Sequence, residues 1–204
     1  MKTVALVIDY QNLHLSAHYL FAKNSPIYSS LLHPLSFANV LLLRRAILHP
    51  NLSATFSISR VDVFRGLPSN KREPRNYSRN LSQKSEWERD RRVSIYHRDL
   101  KYFPDGSAPS EKGIDVMIAL KFVELSRSGI YDLVILASHD SDLEPALESK
   151  IKHERTSIET VSWTGRNRLN PQGMKIWNTV MTYADFRESL DTRDYSKIGL
   201  KRKN

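Results

Sequence analysis

The 204-residue sequence contains no cysteine, which excludes disulfide bonds, zinc sites with thiolate ligands and cysteine nucleophiles. It also lacks any run near the roughly 18 apolar residues that a transmembrane helix needs. The short apolar stretch at the start stops at Asp9, and no cleavage site for a secretory signal follows it. We therefore expect a soluble protein of the reducing cytoplasm, with no membrane segment.

Acidic residues are outnumbered, with 22 Asp and Glu against 31 Lys and Arg, a net charge of +9. Such a balance favours a polyanionic partner, most simply nucleic acid, although basic proteins without such a partner exist. The length is that of one domain. We expect a single domain over residues 1–190, with a basic insertion at about 65–101 and a basic C-terminal tail at 191–204.

Apolar runs of strand length alternate with segments of helical periodicity. This alternation predicts parallel βαβ units and an α/β fold, a three-layer sandwich around a central, mainly parallel sheet. Ser36 is a plausible N-cap and Pro50 a stop for the second helix. We expect strands within 4–10, 54–66, 91–103, 132–137 and 157–163, and helices within 11–21, 34–50, 80–93, 113–129, 142–154 and 174–190.

Aspartates stand where two of these buried strands end, at Asp9 and at the pair Asp140 and Asp142. Asp115 lies in the first turn of the helix that precedes the second of these strands. In open parallel sheets the carboxyl ends of strands gather functional groups, so these acids are expected to meet if the first and fourth strands are neighbours. Their mutual repulsion requires a cation, and Mg²⁺ or Mn²⁺ suits an all-oxygen site. Metal-assisted phosphodiester hydrolysis is the chemistry expected there.

Three motifs carry a resemblance to a known family: DYQN at 9–12, EKGIDVMIA at 111–119 and YDLVILASHDSDLEPAL at 131–147. They resemble the motifs of the NYN domain, the PIN-like nuclease group that includes the bacterial LabA-like proteins. That family shows Asp-x-x-Asn after a strand, Lys-Gly-Val-Asp opening a helix and Ser-Gly-Asp-Ser-Asp-Phe after a later strand. All three patterns occur here in the same order, across about residues 3 to 165.

The resemblance implies a PIN-like (Rossmann-like) fold and a metal-dependent endoribonuclease that hydrolyses RNA, and PIN-like proteins often form homodimers. Asn12 would hold a ligand carboxylate or a substrate phosphate through its amide. The implied catalytic residues are Asp9, Asp115, Asp140 and Asp142, of which Asp9, Asp115 and Asp140 would be the metal ligands.

The sequence departs from the family pattern at three positions. Lys121 stands where the family often has another acid, six residues after Asp115, and the loss of that acid could weaken a second metal site. His139 replaces a glycine. It is interpreted as a phosphate contact, as a proton shuttle or as an ordinary loop residue. Leu143 replaces a phenylalanine. An RNA-binding adaptor with a weak or inactive site is therefore the alternative to an enzyme. A phosphatase lacks support, because DYQN is not the Asp-x-Asp of such enzymes.

Several of these residues also have purely structural interpretations. Asp9 could cap the helix that follows it, and Asp142 could cap a helix beginning near Leu143. Asp115 could stabilise a helix N-terminus through the macrodipole. Two interpretations remain for three further residues. They could contact phosphate or metal-bound water, or they could have an ordinary turn or surface role: Ser138, Ser141 and Lys112.

The segment 65–101 contains eleven Lys or Arg against five acids, with aromatic residues between them at Tyr77, Trp87 and Tyr96. Arginine binds phosphate in a bidentate manner and aromatic rings stack on unpaired bases, so this segment is the predicted RNA-binding surface. The alternative is a solvated basic face with Trp87 packed against the domain. Four cations in the stretch with the least predicted structure are the candidates for contacting RNA: Lys71, Arg72, Arg75 and Arg79.

Overall fold

A computed structural model of the chain describes residues 1–50, 55–149, 155–195 and 197. Six parallel strands form one sheet in the order β3-β2-β1-β4-β5-β6. The strands are β1 Lys2–Asp9, β2 Phe56–Leu67, β3 Val93–Asp99, β4 Leu133–Ala137, β5 Ser157–Trp163 and β6 Trp177–Met181. The helices are α1 Tyr10–Phe21, α2 Pro34–Leu48, α3 Pro74–Trp87, α4 Ile114–Arg127, α5 Glu144–Glu148 and α6 Tyr183–Glu188.

Helices cover both faces of this sheet and make a three-layer sandwich. The alternate residues of β1 divide between two cores: Leu6 and Ile8 pack on the side of α1 and α2, and Ala5 and Val7 on the side of α4. Every residue from Val4 to Ile8 is buried for this reason, which explains the continuous apolar run in the sequence. The predicted α/β sandwich with a parallel sheet is confirmed.

The first and fourth strands are neighbours, as the predicted site requires. β1 pairs with β4 on one side, where Ile8 lies opposite Ala137, and with β2 on the other, where Asp9 lies opposite Phe64. The residues that follow Ile8 and Ala137 therefore emerge side by side at the carboxyl edge of the sheet.

The prediction of one helix over 174–190 was wrong. This segment contains the edge strand β6, and then α6 begins after Thr182, whose side chain forms a capping box with Asp185. Thr179 and Met181 are buried two positions apart while Val180 is exposed, which is the two-residue period of a strand. The Ser36 cap was also wrong, because α2 starts at Pro34, for which proline's fixed φ is suited.

The basic segment 65–101, expected as an insertion, supplies α3 and β3 to the sandwich, and β3 pairs with β2. α3 begins at Pro74, so Arg75 and Arg79 lie on a helix and not in the unstructured stretch that was expected. Trp87 is buried, and its Nε1 donates a 2.7 Å hydrogen bond to Asp191, so the structural interpretation holds for it.

The tail expected at 191–204 is packed against the core as far as Tyr195, which is only 3% exposed. Residues 196 and 198–204, and with them the basic end of the tail, lie outside the described residues. Within the described ranges, no helix is both long and apolar enough to cross a bilayer.

Candidate active site

Three carboxylates converge at the carboxyl edge of the sheet. Asp9 ends β1, Asp140 follows β4, and Asp115 lies in the first turn of α4. Each offers one oxygen atom, and these oxygens all lie within 4.8 Å of one another. We call this group the acidic cluster. It brings together the three residues predicted as metal ligands, although Asp9 lies more than 100 residues before the other two in the chain.

Asp9 is held firmly at the centre of the cluster. Its carboxylate is almost fully buried and accepts hydrogen bonds from the Ser138 hydroxyl at 2.8 Å and the Asn12 backbone N–H at 3.3 Å. It therefore caps α1 and belongs to the cluster at the same time. Burial raises the pKa of Asp9 to about 7, despite these two hydrogen bonds, which lower it.

The loop after β4 is fastened by its neighbours. The Ser138 hydroxyl accepts a hydrogen bond from Asp140 N at 3.0 Å, and Asn12 Oδ1 accepts one from His139 N at 2.9 Å. Ser138 is buried, and its hydroxyl orients Asp9 and Asp140. The sequence had predicted a contact between this hydroxyl and the substrate, and its burial does not favour that contact. Asn12 uses its carbonyl oxygen to hold the loop.

Asp142 does not cap the helix near Leu143, so that interpretation was wrong. The cap of the 3₁₀ turn at Ser141–Leu143 is Asp140, whose Oδ1 accepts a 3.0 Å hydrogen bond from Asp142 N. Asp142 itself is exposed. Its charge acts on Asp115, where burial, and then the charges of Asp140 and Asp142, raise the pKa of that carboxyl.

These groups fit a hard divalent cation. All three ligand candidates offer carboxylate oxygen, the donor that Mg²⁺ and Mn²⁺ prefer. An ion bound at about 2.0 to 2.6 Å keeps its ligands within roughly 4 to 5 Å of one another, which matches the observed separations. The raised pKa values of Asp9 and Asp115 show that negative charge is costly here, and a cation would relieve that cost.

Sequence reasoning missed Glu111 and Arg166, which line the same pocket. Glu111 accepts a short hydrogen bond from the backbone N–H of Gly66, and its charge adds to the effect of burial in raising the pKa of Asp9. Its signal was its place in the EKGID motif, four residues before Asp115. Arg166 follows β5, the neighbour of β4, so the rule that functional groups gather at strand ends could have indicated it.

Lys121 does not belong to the acidic cluster. Six helical residues place it about 9 Å along α4 from Asp115, away from the carboxyl edge of the sheet. Its ammonium pairs with Glu124 at 2.7 Å and lies 5.7 Å from the centre of the Tyr96 ring. An acid at this position would not reach the cluster, so the structure does not support the expected weakening of a second metal site by the loss of that acid.

His139 forms a hydrogen bond to the backbone of another loop. Its Nδ1 lies 3.2 Å from the carbonyl oxygen of Asn167, to which it donates, and its Nε2 is buried without a hydrogen-bond partner among the described residues. Burial lowers the pKa of this imidazole, so it is neutral at pH 7. The interpretation as a loop residue fits these contacts better than a proton shuttle does.

The cations predicted to bind RNA lie in the loop before α3, on α3 itself and in the loop before α4. Lys71, Arg72 and Lys112 are exposed, and the Arg72 guanidinium lies 4.8 Å from the centre of the Tyr102 ring. Arg75 and Arg79 lie one turn apart on α3 and line a shared groove. None of the five lines the pocket of the acidic cluster, as far as the described residues show.

Residues 3–170 match the NYN domain family. The chain belongs to this family. The match spans all three motifs and all four aspartates of the predicted site, and it confirms the resemblance to the NYN domain. Among curated proteins, none matches the sequence.

Solved structures give more distant likenesses to this NYN domain. One is a protein of unknown function from Vibrio parahaemolyticus, with 18% identity and a TM-score of 0.46, covering 78% of this chain and 80% of that one. Two structures of T5 5′-exonuclease, one with divalent zinc ions bound, show 14% identity and TM-scores of 0.32 and 0.33. These matches cover 78% of this chain and 50% and 55% of the exonuclease chains.

Proposed function

We propose that this NYN domain is a metal-dependent endoribonuclease that hydrolyses RNA phosphodiester bonds at the acidic cluster. The observation that carries the proposal is the convergence of Asp9, Asp115 and Asp140 within 4.8 Å at the edge of the sheet. Family membership and the net charge of +9 support it, since a basic protein attracts a polyanionic substrate.

The proposed cofactor is Mg²⁺ or Mn²⁺, held by Asp9, Asp115 and Asp140. What such an ion supplies when bound is positive charge, which acidifies water and offsets the charge of a phosphate. Ser138 keeps Asp9 and Asp140 in position through its two hydrogen bonds. The exposed carboxylate of Asp142, at the rim of the cluster, would accept a hydrogen bond from the attacking water and so orient it.

The proposed partner is RNA, whose phosphates would contact the cations on the side of α3 and the loop before α4. These are Lys71, Arg72, Arg75, Arg79 and Lys112. An RNA-binding adaptor without activity is the alternative, and its one support in the sequence was Lys121. Because Lys121 pairs with Glu124 at a distance from the cluster, the enzyme is favoured.

The test compares the wild-type protein with Asp140→Asn on single-stranded, structured and transfer RNA, with Mg²⁺, with Mn²⁺ and with EDTA. We expect cleavage with metal only, and a loss of about 100-fold or more in the variant because a metal ligand is removed. A circular RNA, which has no ends, distinguishes internal cleavage from digestion of an end. A matched DNA shows the preference between the nucleic acids.

Asp105→Asn is the matched control, because Asp105 is an exposed acid in the loop before α4, outside the pocket of the cluster. It should cleave as the wild type does. Binding of RNA in EDTA should be retained by Asp140→Asn and should weaken steeply with salt. Binding by the wild type without cleavage in either metal would instead establish the adaptor.

A further inference from the structure

A second cavity, of about 430 Å³, opens beside the pocket of the acidic cluster. It lies between α1, the 3₁₀ turn Ile27–Ser29 and α3, and the two pockets share Gln11 and Leu15 as their dividing ridge. We call it the arginine cavity, because its lining includes Arg65 and Arg79 and, in the part of the chain that the structure describes, contains neither aspartate nor glutamate. Carboxylates therefore line the pocket on one side of this ridge, and guanidinium groups line the cavity on the other side.

The guanidinium of Arg65 is the main cation of this cavity. Its Nη1 donates a 2.7 Å hydrogen bond to Gln83 Oε1, and its Cζ lies 4.8 Å from the centre of the Tyr10 ring and 5.7 Å from that of Trp87. Among the described residues, no carboxylate forms an ion pair with it within 4.0 Å. A guanidinium has five N–H donors, so this one retains donors for a ligand.

Burial disfavours a charge that has no close partner of opposite sign. Burial lowers the pKa of Arg65, and the charge of Glu111 partly opposes this effect. Glu111, however, is bound to the backbone N–H of Gly66 and lines the acidic pocket. An anion in the arginine cavity would compensate the Arg65 charge more directly, and side-chain amides of Asn76 and Gln83 stand beside it.

We propose that the arginine cavity binds a phosphate of the RNA strand, adjacent to the phosphate that reacts at the acidic cluster, with Arg65 as principal donor and Arg79 as second donor. Planar guanidinium groups bind phosphate through paired N–H donors. The strand would cross the ridge at Gln11 and Leu15 and so be oriented toward the cluster. This placement of the strand rests on the proposed nuclease function, whereas phosphate binding in the cavity does not.

The phosphate can belong to the end of a strand or to an internal linkage. The chemistry that Arg65 recognises is the same for both. If Arg65 serves only as a packing cation between Tyr10 and Trp87, phosphate leaves it unaffected.

The first test observes the arginine side chains directly in Asp140→Asn, with EDTA present, so that neither metal nor cleavage contributes. Inorganic phosphate and adenosine 5′-monophosphate are added, and the Nε–Hε NMR signals of Arg65 and Arg79 are followed. Both probes should shift these two signals, and adenosine without phosphate should not. The proposal is overturned if phosphate shifts other arginine signals and leaves that of Arg65 in place.

The second test measures the binding of a short RNA by Arg65→Gln and Arg79→Gln in the same buffer. Each variant should bind about tenfold more weakly, the effect typical of losing a charge-assisted hydrogen bond. Arg187→Gln is the matched control, with the same change of charge at an exposed position on α6. Because Arg65 is enclosed, circular dichroism is used to check that Arg65→Gln folds. Arg79→Gln provides a result that does not depend on the Arg65 variant. Affinities equal to that of Arg187→Gln for both variants would overturn the proposal.

Two RNA probes, with a 5′-phosphate or a 5′-hydroxyl, identify the source of the phosphate. A terminal phosphate in the cavity predicts tighter binding of the phosphorylated RNA, and Arg65→Gln should abolish the difference. An internal phosphate predicts equal affinities, both reduced in Arg65→Gln. If the protein cleaves no RNA but phosphate shifts the Arg65 signal, phosphate binding in the cavity is supported and the nuclease function is refuted. If the protein cleaves RNA but both arginine variants bind as Arg187→Gln does, the nuclease function is supported and the role of the cavity is refuted.

Discussion

The Ser138 hydroxyl donates a 2.8 Å hydrogen bond to Oδ2 of Asp9, although 129 positions separate the two residues in the chain. The same hydroxyl accepts a 3.0 Å hydrogen bond from Asp140 N. One buried side chain therefore links the carboxylate of Asp9 to the backbone of Asp140, two residues of the acidic cluster. Its effect on the site is to hold Asp9 in place and to favour its charged form, because hydrogen bonding to a carboxylate lowers its pKa.

Replacing this hydroxyl should change the pH dependence of the site. In Ser138→Ala, Asp9 loses a donor, so its pKa should rise further above 7, and cleavage should require a higher pH than in the wild type. The free energy of unfolding should fall by about 1 to 3 kcal/mol, because Asp9 and Asp140 N lose a partner. The measurements are a pH–rate profile and urea denaturation. Ser141→Ala, at an exposed position of the same loop, is the control and should leave the profile unchanged.

The stability of the metal-free protein should decrease as the pH rises from about 4 to about 7. The pKa of Asp9 in the folded state, about 7, lies above that of an unfolded aspartate. A raised carboxyl pKa gives a stabilising contribution that is complete below the unfolded value and is lost as pH rises through the folded value. Thermal unfolding in EDTA measures this, and Asp9→Asn should remove the Asp9 part of the slope.

Added Mn²⁺ or Mg²⁺ should reverse this trend. A cation binds the ionised cluster, so its stabilising effect should be small at about pH 5.5 and larger at about pH 8, where Asp9 is deprotonated. The readout is the rise in melting temperature on adding the metal at each pH, with Asp105→Asn as the control for exposed acids. A metal effect that is equal at both pH values would contradict the role of Asp9 as a ligand.

Gly66 should be required because Glu111 approaches its backbone closely. A Cβ added at Gly66 would lie against Leu100 and 2.7 Å from Glu111 Oε1, so Gly66→Ala should displace the Glu111 carboxylate. We expect a loss of about 1 to 3 kcal/mol in stability, typical of overpacking, together with reduced cleavage. In a double-mutant cycle with Glu111→Ala, the effects on cleavage should not add, since Gly66 acts through Glu111. Fully additive effects would show that the two residues act separately.

Lys121 should be dispensable for cleavage. Because its ammonium contacts Glu124 and the Tyr96 ring away from the cluster, Lys121→Met should keep activity within about twofold, as for other surface substitutions. Lys121→Glu, which restores the type of residue common in the family, should not increase the rate. A clear increase in metal-dependent cleavage by Lys121→Glu would place position 121 in the site and would refute the geometry.

The sequence predicted the elements with strong periodicity well. The buried runs of β1 and β4 and the helical rhythm of α4 are local patterns, so they can be recognised without knowing what packs against them. The edge strand β6 was missed because it has only five residues. Its alternation of exposed and buried positions is too short to be distinguished from a helical pattern. Arg79 was placed in a loop for a related reason, since the polar face of α3 obscured its helical period.

The sequence by itself determined which acids end strands, that no thiolate could replace them as metal ligands, and that the surface is basic, because these are properties of composition and local order. Only the tertiary structure decided which groups meet. The pairing of β1 with β4 brings Ser138 to Asp9, the hydrogen bond to Gly66 adds Glu111, and the direction of α4 removes Lys121. Contacts between residues far apart in the chain depend on strand order and helix direction, which local periodicity does not encode.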